Sequence, residues 1–175
     1  MHANVTTRRI YASEAASHIE ALADLMIDCV EGGASVGFML PLRRERAVDF
    51  WRGVIDALVR NERALLIAEE PDGRIVGTVQ LIMSLPDNQP HRADVAKMLV
   101  HRSARRRGIA QQLVKSIDDV AREEGKTVLV LDAVTGGDAE RLYFRNGWQR
   151  VGVVPKYALM PSGEFCATTF FFKHL

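Results

Sequence analysis

The chain has 175 residues, a formal net charge of +1 at pH 7 and 47% hydrophobic residues. This length and composition predict a globular protein with one domain over residues 1–175. The nearly neutral charge balance excludes a general attraction to nucleic acid or to a membrane surface, so any site for an anion must be local.

The numbers and positions of cysteine and histidine further limit the kinds of protein that the sequence can represent. Cys29 and Cys166 are too few for a disulfide framework and indicate a reducing compartment. The N-terminal stretch lacks the apolar core of a secretion signal, and no apolar run is long enough to span a bilayer. The five histidines have no metal-ligand spacing. We therefore expect a cytoplasmic protein without a metal, whose partners include neither nucleic acid nor membrane.

The first sixty residues predict one strand, two helices and the loop between them. The stretch "TRRIY" predicts a short first strand. Ser13 is suited to N-cap a helix that runs to about Val30. The glycine-rich stretch "EGGASVGFML" follows it, and Pro41 is suited to open a second helix from Leu42 to about Arg60.

The middle of the chain predicts a hairpin, a third strand and a long helix. The segments "ALLIAEE" and "RIVGTVQLIM" flank the turn "PDG", and "RADVAKMLV" predicts the next strand. Apolar residues then recur at helical spacing, and Gly125 ends that helix. These apolar residues are Ile109, Leu113, Ile117 and Val120.

The last fifty residues predict three further strands and a short helix. "TVLVLDA" is nearly all apolar, which is typical of a strand buried on both faces. "DAERLYFRNG" predicts a short helix, and "WQRVGVV" and "EFCATTFFFKHL" predict the final strands. Together the elements predict an α/β (α+β) fold with a mixed central sheet of about seven strands flanked by about four helices.

A strand, a basic run and a glycine meet where the third long helix begins, in "KMLV" and "RRRGIA". The first amides of a helix have no helical partner and lie at the positive end of its dipole. Gly108 lets an anion approach the backbone, so this turn can bind a phosphate or pyrophosphate. The alternative is an exposed basic turn that only caps a surface helix. Neither a P-loop nor a dinucleotide-binding fingerprint is present.

These motifs resemble the GNAT superfamily of acetyl-CoA-dependent N-acetyltransferases. "RRRGIA" fits the family signature Q/R-x-x-G-x-G/A, and the neighbouring strands stand in the family's order from Ala64 onward. "DAERLYFRNGW" is similar to the family's "A-x-x-L-Y-x-x-x-G-F", with Trp148 in place of phenylalanine. "GGASVGFM" and "RADVAKMLV" resemble the tabtoxin-resistance acetyltransferases, which acetylate a small amino-acid-like β-lactam toxin. The resemblance implies the GNAT fold.

The resemblance also implies where acetyl-CoA and the acceptor bind. The backbone of Met98, Leu99 and Val100 would hold the pantetheine arm like an added strand, and an N–H near Val100 could stabilise an oxyanion. The pyrophosphate would bind the amides of Arg105, Arg106, Arg107, Gly108, Ile109 and Ala110. The acceptor side would be lined by Gly33, Ser35, Phe38 and Met39. Alternatively, these glycines only shape a chain crossing and Phe38 is a core residue.

Three residues are candidates for proton transfer. Strand alternation is expected to place Asp94 on the same face as Met98 and Val100, as a general base. Asp132 ends its strand, as a second base or an anchor for the ammonium. Tyr143 is the proposed acid for the departing thiolate. The alternatives are two structural carboxylates and a buried aromatic whose hydroxyl is bonded elsewhere.

The sequence therefore predicts transfer of acetyl from acetyl-CoA to a small amine, with an amino-acid-like toxin or antibiotic as a candidate acceptor. Two rival functions stay open: a protein or peptide N-terminal acetyltransferase, and an acyl-CoA-binding sensor without turnover. One departure concerns the loop before the short helix, where Gly136 stands in place of an asparagine frequent in the family. The expected oligomeric state is a monomer or a homodimer.

Overall fold

The computed structural model describes residues 4–175 as one seven-stranded mixed sheet with helices on both faces. The strands are β1 (Thr6–Ile10), β2 (Arg63–Glu69), β3 (Ile75–Ile82), β4 (Arg92–Val100), β5 (Val128–Val134), β6 (Gln149–Leu159) and β7 (Phe165–His174). The helices are α1 (Ala12–Ala15), α2 (Ile19–Glu31), α3 (Arg44–Val59), α4 (Ile109–Glu123) and α5 (Asp138–Arg145). In residues 4–175 no helix combines the length and apolar character that a bilayer crossing needs.

The strand order is β1-β2-β3-β4-β5-β7-β6. Every neighbouring pair is antiparallel except β4 and β5, which are parallel. A parallel pair needs a crossover connection, and α4 supplies it. This arrangement confirms the predicted fold class, with four helices of eight or more residues and one short helical turn.

Two hydrophobic cores lie on the two faces of the sheet. One core packs α4 and α5 against the sheet, and the other packs α2 and α3 against the opposite face. Strand β2 serves both cores, because Leu66 faces α4 while Leu65 and Ile67 face α2 and α3. The predicted apolar stripe of α4 is confirmed, since all four of its residues are buried: Ile109, Leu113, Ile117 and Val120.

The start of the chain differs from the prediction. Ser13 lies inside α1, whose N-cap is Tyr11 without a side-chain bond, and the helix is broken by a 3-10 turn over Ala16–His18. The Ser17 hydroxyl donates a hydrogen bond of 2.7 Å to the Glu14 carbonyl and competes with the helical amides there. The segment predicted as one helix is therefore divided in two, and this local hydrogen bond lies at the break.

Two other local predictions need correction. Helix α3 begins at Arg44 rather than Leu42, because Arg43 is still extended, with ψ 145°. Strand β5 is not buried on both faces. Leu129 and Leu131 are buried against α4, but Asp132 is exposed on the other face.

Helix α4 packs close to β3 at Gly77. A β-carbon built there would lie 3.1 Å from Ile109 Cγ2, 3.1 Å from Leu113 Cδ1 and 3.2 Å from Ala68 Cβ. Such contacts are tighter than ordinary packing, so a side chain at this position would push α4 away from the sheet.

We expect Gly77→Val to lower the free energy of unfolding by about 1–3 kcal/mol through overpacking. Gly53→Ala is the control, because Gly53 is an exposed position of α3 with no atom within 4 Å of its built β-carbon. The control should gain about 0.5–1 kcal/mol, since glycine weakens a helix interior. Urea unfolding measures both. A Gly77→Val protein as stable as the wild type would contradict the close packing.

Candidate functional site

A gap opens between β4 and β5. The two strands pair only at Arg92–Asp94 with Val128–Val130. Beyond that, β4 continues along β3 to Val100, and β5 continues along β7 to Val134. The inner edges of the two strands therefore have no ladder partner past Asp94 and Val130, and an extended ligand can enter there.

A β-bulge in β4 lies beside this gap. Gln80 of β3 is opposite Ala96 and Thr78 is opposite Leu99, so Lys97 and Met98 together oppose one residue. Lys97 adopts a left-handed backbone with φ 53°. Such an extra residue bends the strand and shifts the side-chain alternation by one position.

The bulge reverses the two faces of β4. Before it, Ala93 and Val95 belong to the core under α4; after it, Leu99 belongs to the core under α2 and α3. Met98 and Val100 pack against the α4 core. The prediction that Asp94 shares their face is therefore wrong, because that prediction assumed an unbroken period of two.

Asp94 and Asp132 share the opposite face, which we call the α2–α3 face. Asp132 alternates with Leu131 and Ala133, both buried against α4. The Asp94 carboxylate accepts a hydrogen bond from the Arg92 guanidinium. The surroundings raise the pKa of Asp132: partial burial contributes most, Lys97 opposes it and Asp94 adds to it. Asp132 is nevertheless exposed to solvent.

Lys97 is a polar residue of this face that the sequence analysis missed. Its Nζ lies 5.7 Å from the ring centroid of Phe50 and would lie 3.8 Å from a β-carbon at Gly37. Burial lowers the pKa of Lys97, and Arg63 adds to the effect. One signal was available in the sequence, because Lys97 is the lysine of the otherwise mostly apolar strand "RADVAKMLV".

Tyr143 approaches the gap from the α4 side. Its ring is 5% exposed and packs at 5.7 Å from Trp148 and 6.1 Å from Phe171, measured between centroids. Burial raises its pKa, and the charge of Asp132 adds to the shift although Asp132 faces the other side of the sheet. Its hydroxyl has no hydrogen-bond partner in residues 4–175. The alternative of a hydroxyl bonded elsewhere therefore finds no support in that range.

The turn before α4 leaves its amides uncapped. Gly108 is the N-cap, with φ 78°, no side-chain cap bond and no atom within 4 Å of a built β-carbon. Arg105 and Arg106 are exposed. The Arg107 guanidinium instead pairs with Glu70 at 2.6 Å, both side chains being largely buried, so only its amide belongs to the turn. Ile109 is buried, and Ala110 follows it in the first turn of α4.

The end of α2 holds this turn in place. The Asp28 carboxylate accepts hydrogen bonds from the Arg102 amide at 2.8 Å and from Arg102 Nε at 2.9 Å. The Cys29 thiol donates to the Val100 carbonyl at 3.4 Å. Gly32 packs closely here: a β-carbon would lie 2.7 Å from Arg102 Cδ and would displace that side chain. The turn is thus fixed by charge-assisted bonds before any ligand arrives.

The glycine-rich loop between α2 and α3 is hydrogen-bonded to the β6–β7 hairpin. The Ser35 hydroxyl donates to the Leu159 carbonyl at 3.3 Å, and the Leu40 amide donates to the Pro161 carbonyl at 3.1 Å. Gly33 has a φ of 90°, which favours glycine. Phe38 is buried with its edge against Phe50 at 5.3 Å.

Met39 is 45% exposed. It lines a cavity of about 310 Å³ together with Gly37, Phe38, Pro41, Leu42, Arg43 and Arg46. Neither Asp94 nor Asp132 lines this cavity, so it is separate from the carboxylates.

Comparison with known proteins places this geometry in a family. The family model described as "Acetyltransferase (GNAT) family" matches residues 19–148. An uncharacterized N-acetyltransferase in the hisH-hisA intergenic region of Azospirillum brasilense is 34% identical over 131 residues, covering 74% of this chain and 75% of that protein.

Solved structures share the fold. A putative acetyltransferase from Acinetobacter baylyi ADP1 superposes with a TM-score of 0.84 at 13% identity, covering 100% of this chain and 95% of that one. yncA, a putative acetyltransferase from Salmonella typhimurium solved with its cofactor acetyl-CoA, superposes with a TM-score of 0.78 at 19% identity. The match covers 98% of this chain and 94% of that one. At these identities the likeness concerns the fold alone.

The raised pKa of Asp132 predicts a stability cost at neutral pH. The folded state binds this proton more tightly than the unfolded chain, so stability falls as the pH rises from the ordinary value of 3.8 through the raised native pKa. We expect Asp132→Asn to be more stable than the wild type at pH 7, and the difference to shrink as the pH falls towards 4.

Urea unfolding across this pH range measures the difference. Asp87→Asn is the control, because it removes the same charge from an exposed loop position. A variant at Asp132 that is less stable than the wild type at pH 7 would refute the cost assigned to this carboxylate.

Proposed function

Because the chain belongs to the GNAT family of acetyltransferases, we propose that the gap between β4 and β5 transfers acetyl from acetyl-CoA to the amine of a small molecule. The chain is a GNAT-type N-acetyltransferase, and acetyl-CoA is the cosubstrate that this family uses. The observation that carries the proposal is the parting of β4 from β5 beside the uncapped start of α4.

In this proposal the cofactor lies along the open edge of β4. The backbone of Met98–Val100 holds the pantetheine arm, because that edge has no ladder partner past Asp94. The pyrophosphate binds the amides from Arg105 to Ala110, at the positive end of the α4 dipole. An N–H near Val100 stabilises the oxyanion that forms on the thioester carbonyl.

The acceptor amine approaches from the α2–α3 face. Because Arg92 already binds the Asp94 carboxylate, we assign Asp94 to anchoring the ammonium and Asp132 to the base. The pKa of Asp132 is raised by burial, which brings it nearer to the working pH of a general base. This exchanges the roles that the sequence analysis assigned to the two residues.

Tyr143 donates the proton that the departing thiolate needs. Its raised pKa keeps the phenol protonated at neutral pH, and its hydroxyl is not engaged by a residue between 4 and 175. Such a group can donate to the sulfur of CoA without first breaking another hydrogen bond.

The acceptor is a small amine, with an amino-acid-like toxin or antibiotic of the tabtoxin type as a candidate. The loop that contains Gly33, Ser35, Phe38 and Met39 covers the acceptor side and is fastened to the β6–β7 hairpin by two hydrogen bonds. Such a cover favours a small acceptor over a protein N-terminus. We place the enzyme in the cytoplasm because both cysteines are free, as a monomer or a homodimer.

Thiol release from acetyl-CoA tests the proposal. The panel comprises amino acids, polyamines, β-lactam amines and short peptides. A small amine that releases CoA supports the proposal, and preferential use of peptides favours the N-terminal acetyltransferase. Binding of acetyl-CoA without thiol release from any amine favours the sensor.

Tyr143→Phe should lower kcat by roughly 10²–10⁴-fold, the range of general acid–base catalysis, and change the Kd for acetyl-CoA little. The ring contacts are retained, so stability should not fall. Tyr157→Phe is the control, because Tyr157 is half exposed on β6 and also packs edge-on against an aromatic ring. Equal losses in turnover and in acetyl-CoA affinity would rule out the acid role.

Gly108→Asp should weaken acetyl-CoA binding by roughly tenfold or more, because a carboxylate at this N-cap repels and displaces the pyrophosphate. Gly163→Asp is matched in backbone, with φ 101° and open space around its built β-carbon, but lies in the β6–β7 turn. Calorimetric titration of both variants with acetyl-CoA separates strain from contact. Unchanged affinity in Gly108→Asp would refute the phosphate turn.

A further inference from the structure

We propose that Lys97 and Arg63 bind an anionic group of the acceptor, which makes the acceptor an amine that also carries a carboxylate. The inference rests on the proposed function, in which the α2–α3 face receives the acceptor. It adds to that function a class of substrate, amines that carry a carboxylate. It also assigns substrate specificity to two residues that take no part in proton transfer, Lys97 and Arg63.

Lys97 is a partly buried cation that has no ion pair within residues 4–175. No hydrogen bond or ion pair joins its ammonium to any residue from 4 to 175. It lies over the Phe50 ring at 5.7 Å and beside Gly37. Asp132 attracts it through space but does not form an ion pair with it. A buried ammonium normally has a hydrogen-bonded counter-charge, so this one is poised for a ligand.

Arg63 brings a second cation to the same face. Its Nη1 donates to Gln80 Oε1 at 2.5 Å, and Gln80 is opposite Ala96, next to the bulge. The acid that acts on Arg63 is Glu62, which already pairs with Arg60 at 2.8 Å. Arg63 makes no ion pair within residues 4–175. The two partly buried cations repel each other, since the charge of Arg63 lowers the pKa of Lys97, and an anion bound near both reduces that cost.

Gln80 adds an unmet hydrogen-bond donor. Its side chain is fully buried, its oxygen is taken by Arg63, and its Nε2 has no partner in the part of the chain that the structure describes. Buried amide nitrogens are nearly always hydrogen-bonded in native proteins. The Gln80 side-chain amide is therefore a hydrogen-bond donor that a bound ligand could satisfy.

The charges of the α2–α3 face match a zwitterion. Asp94 forms an ion pair with Arg92, Asp132 acts on Lys97 through space, and Arg63 lies on the same face as Lys97. An amino acid would place its ammonium near the carboxylates and its carboxylate near the two cations. The Phe38 and Phe50 rings, in edge contact, form an apolar wall for its side chain. A polyamine has no anionic group to offer, so this face disfavours it.

The test compares free amino acids with their carboxamides, which keep the amine and lose the negative charge. Leucine and leucinamide, and phenylalanine and phenylalaninamide, are assayed by CoA release. We expect the wild type to prefer the acid in kcat/KM. Lys97→Met should reduce the acid-to-amide ratio by about 30-fold, the cost of leaving a buried carboxylate without its partner. Lys97→Arg should restore part of the ratio.

Lys156→Met is the matched control. Lys156 also has a left-handed backbone, with φ 51°, and its Nζ lies 5.9 Å from the Phe165 ring, but it is exposed on β6. Lys156→Met, like Lys97→Met, removes a lysine with a left-handed backbone and its contact with an aromatic ring. It does so outside the α2–α3 face. Its acid-to-amide ratio should equal that of the wild type.

Three outcomes overturn the proposal: a wild type that uses acids and amides equally, a Lys97→Met ratio unchanged from the wild type, or a Lys156→Met ratio that falls as far. If no amine releases CoA, the proposed function fails. The anion site is then tested separately, by calorimetric titration of the protein with N-acetylleucine in the presence of CoA. Binding that Lys97→Met weakens supports the site, and absence of binding to the wild type overturns it.

Discussion

The left-handed residue at the β4 bulge is the constraint on which the candidate site depends. A non-glycine residue at a φ of 53° costs about 1–3 kcal/mol, and it persists here because β3 pairs with β4 on both sides of the bulge. The extra residue turns Met98 and Val100 towards α4 and leaves Asp94 and Lys97 on the opposite face. The ladder between β4 and β5 ends three residues earlier, at Asp94 and Val130. The strained residue thus sets the polarity of the β4 wall of the gap.

Two titratable groups on opposite faces of the sheet are coupled electrostatically. Tyr143 comes from the core under α4, and Asp132 comes from the α2–α3 face, yet the charge of one raises the pKa of the other. Burial raises the pKa of Asp132 and the pKa of Tyr143, but the two shifts have different chemical consequences. A phenol with a raised pKa remains a proton donor, and a carboxylate with a raised pKa becomes a better base.

The α2–α3 face is charged at the expense of stability. Lys97 and Arg63 are partly buried without ion pairs within residues 4–175, and Asp132 is partly desolvated. A protein optimised only for stability would fill such a face with apolar side chains. A ligand that carries both charges, as proposed above, would offset this cost.

Local patterns along the chain were enough to predict the features that depend on local geometry. The stripe of α4, the glycine at its start and the order of strands and helices follow from periods and turn residues that act over a few positions. Tertiary structure decided which face each β4 side chain takes, because the bulge arises from pairing with β3 and has no mark in "RADVAKMLV". It also decided that Arg107 pairs with Glu70, 37 residues away, and that Lys97 stands without an ion-pair partner within residues 4–175. Long-range contacts of this kind depend on how the whole sheet assembles, which a local pattern does not contain.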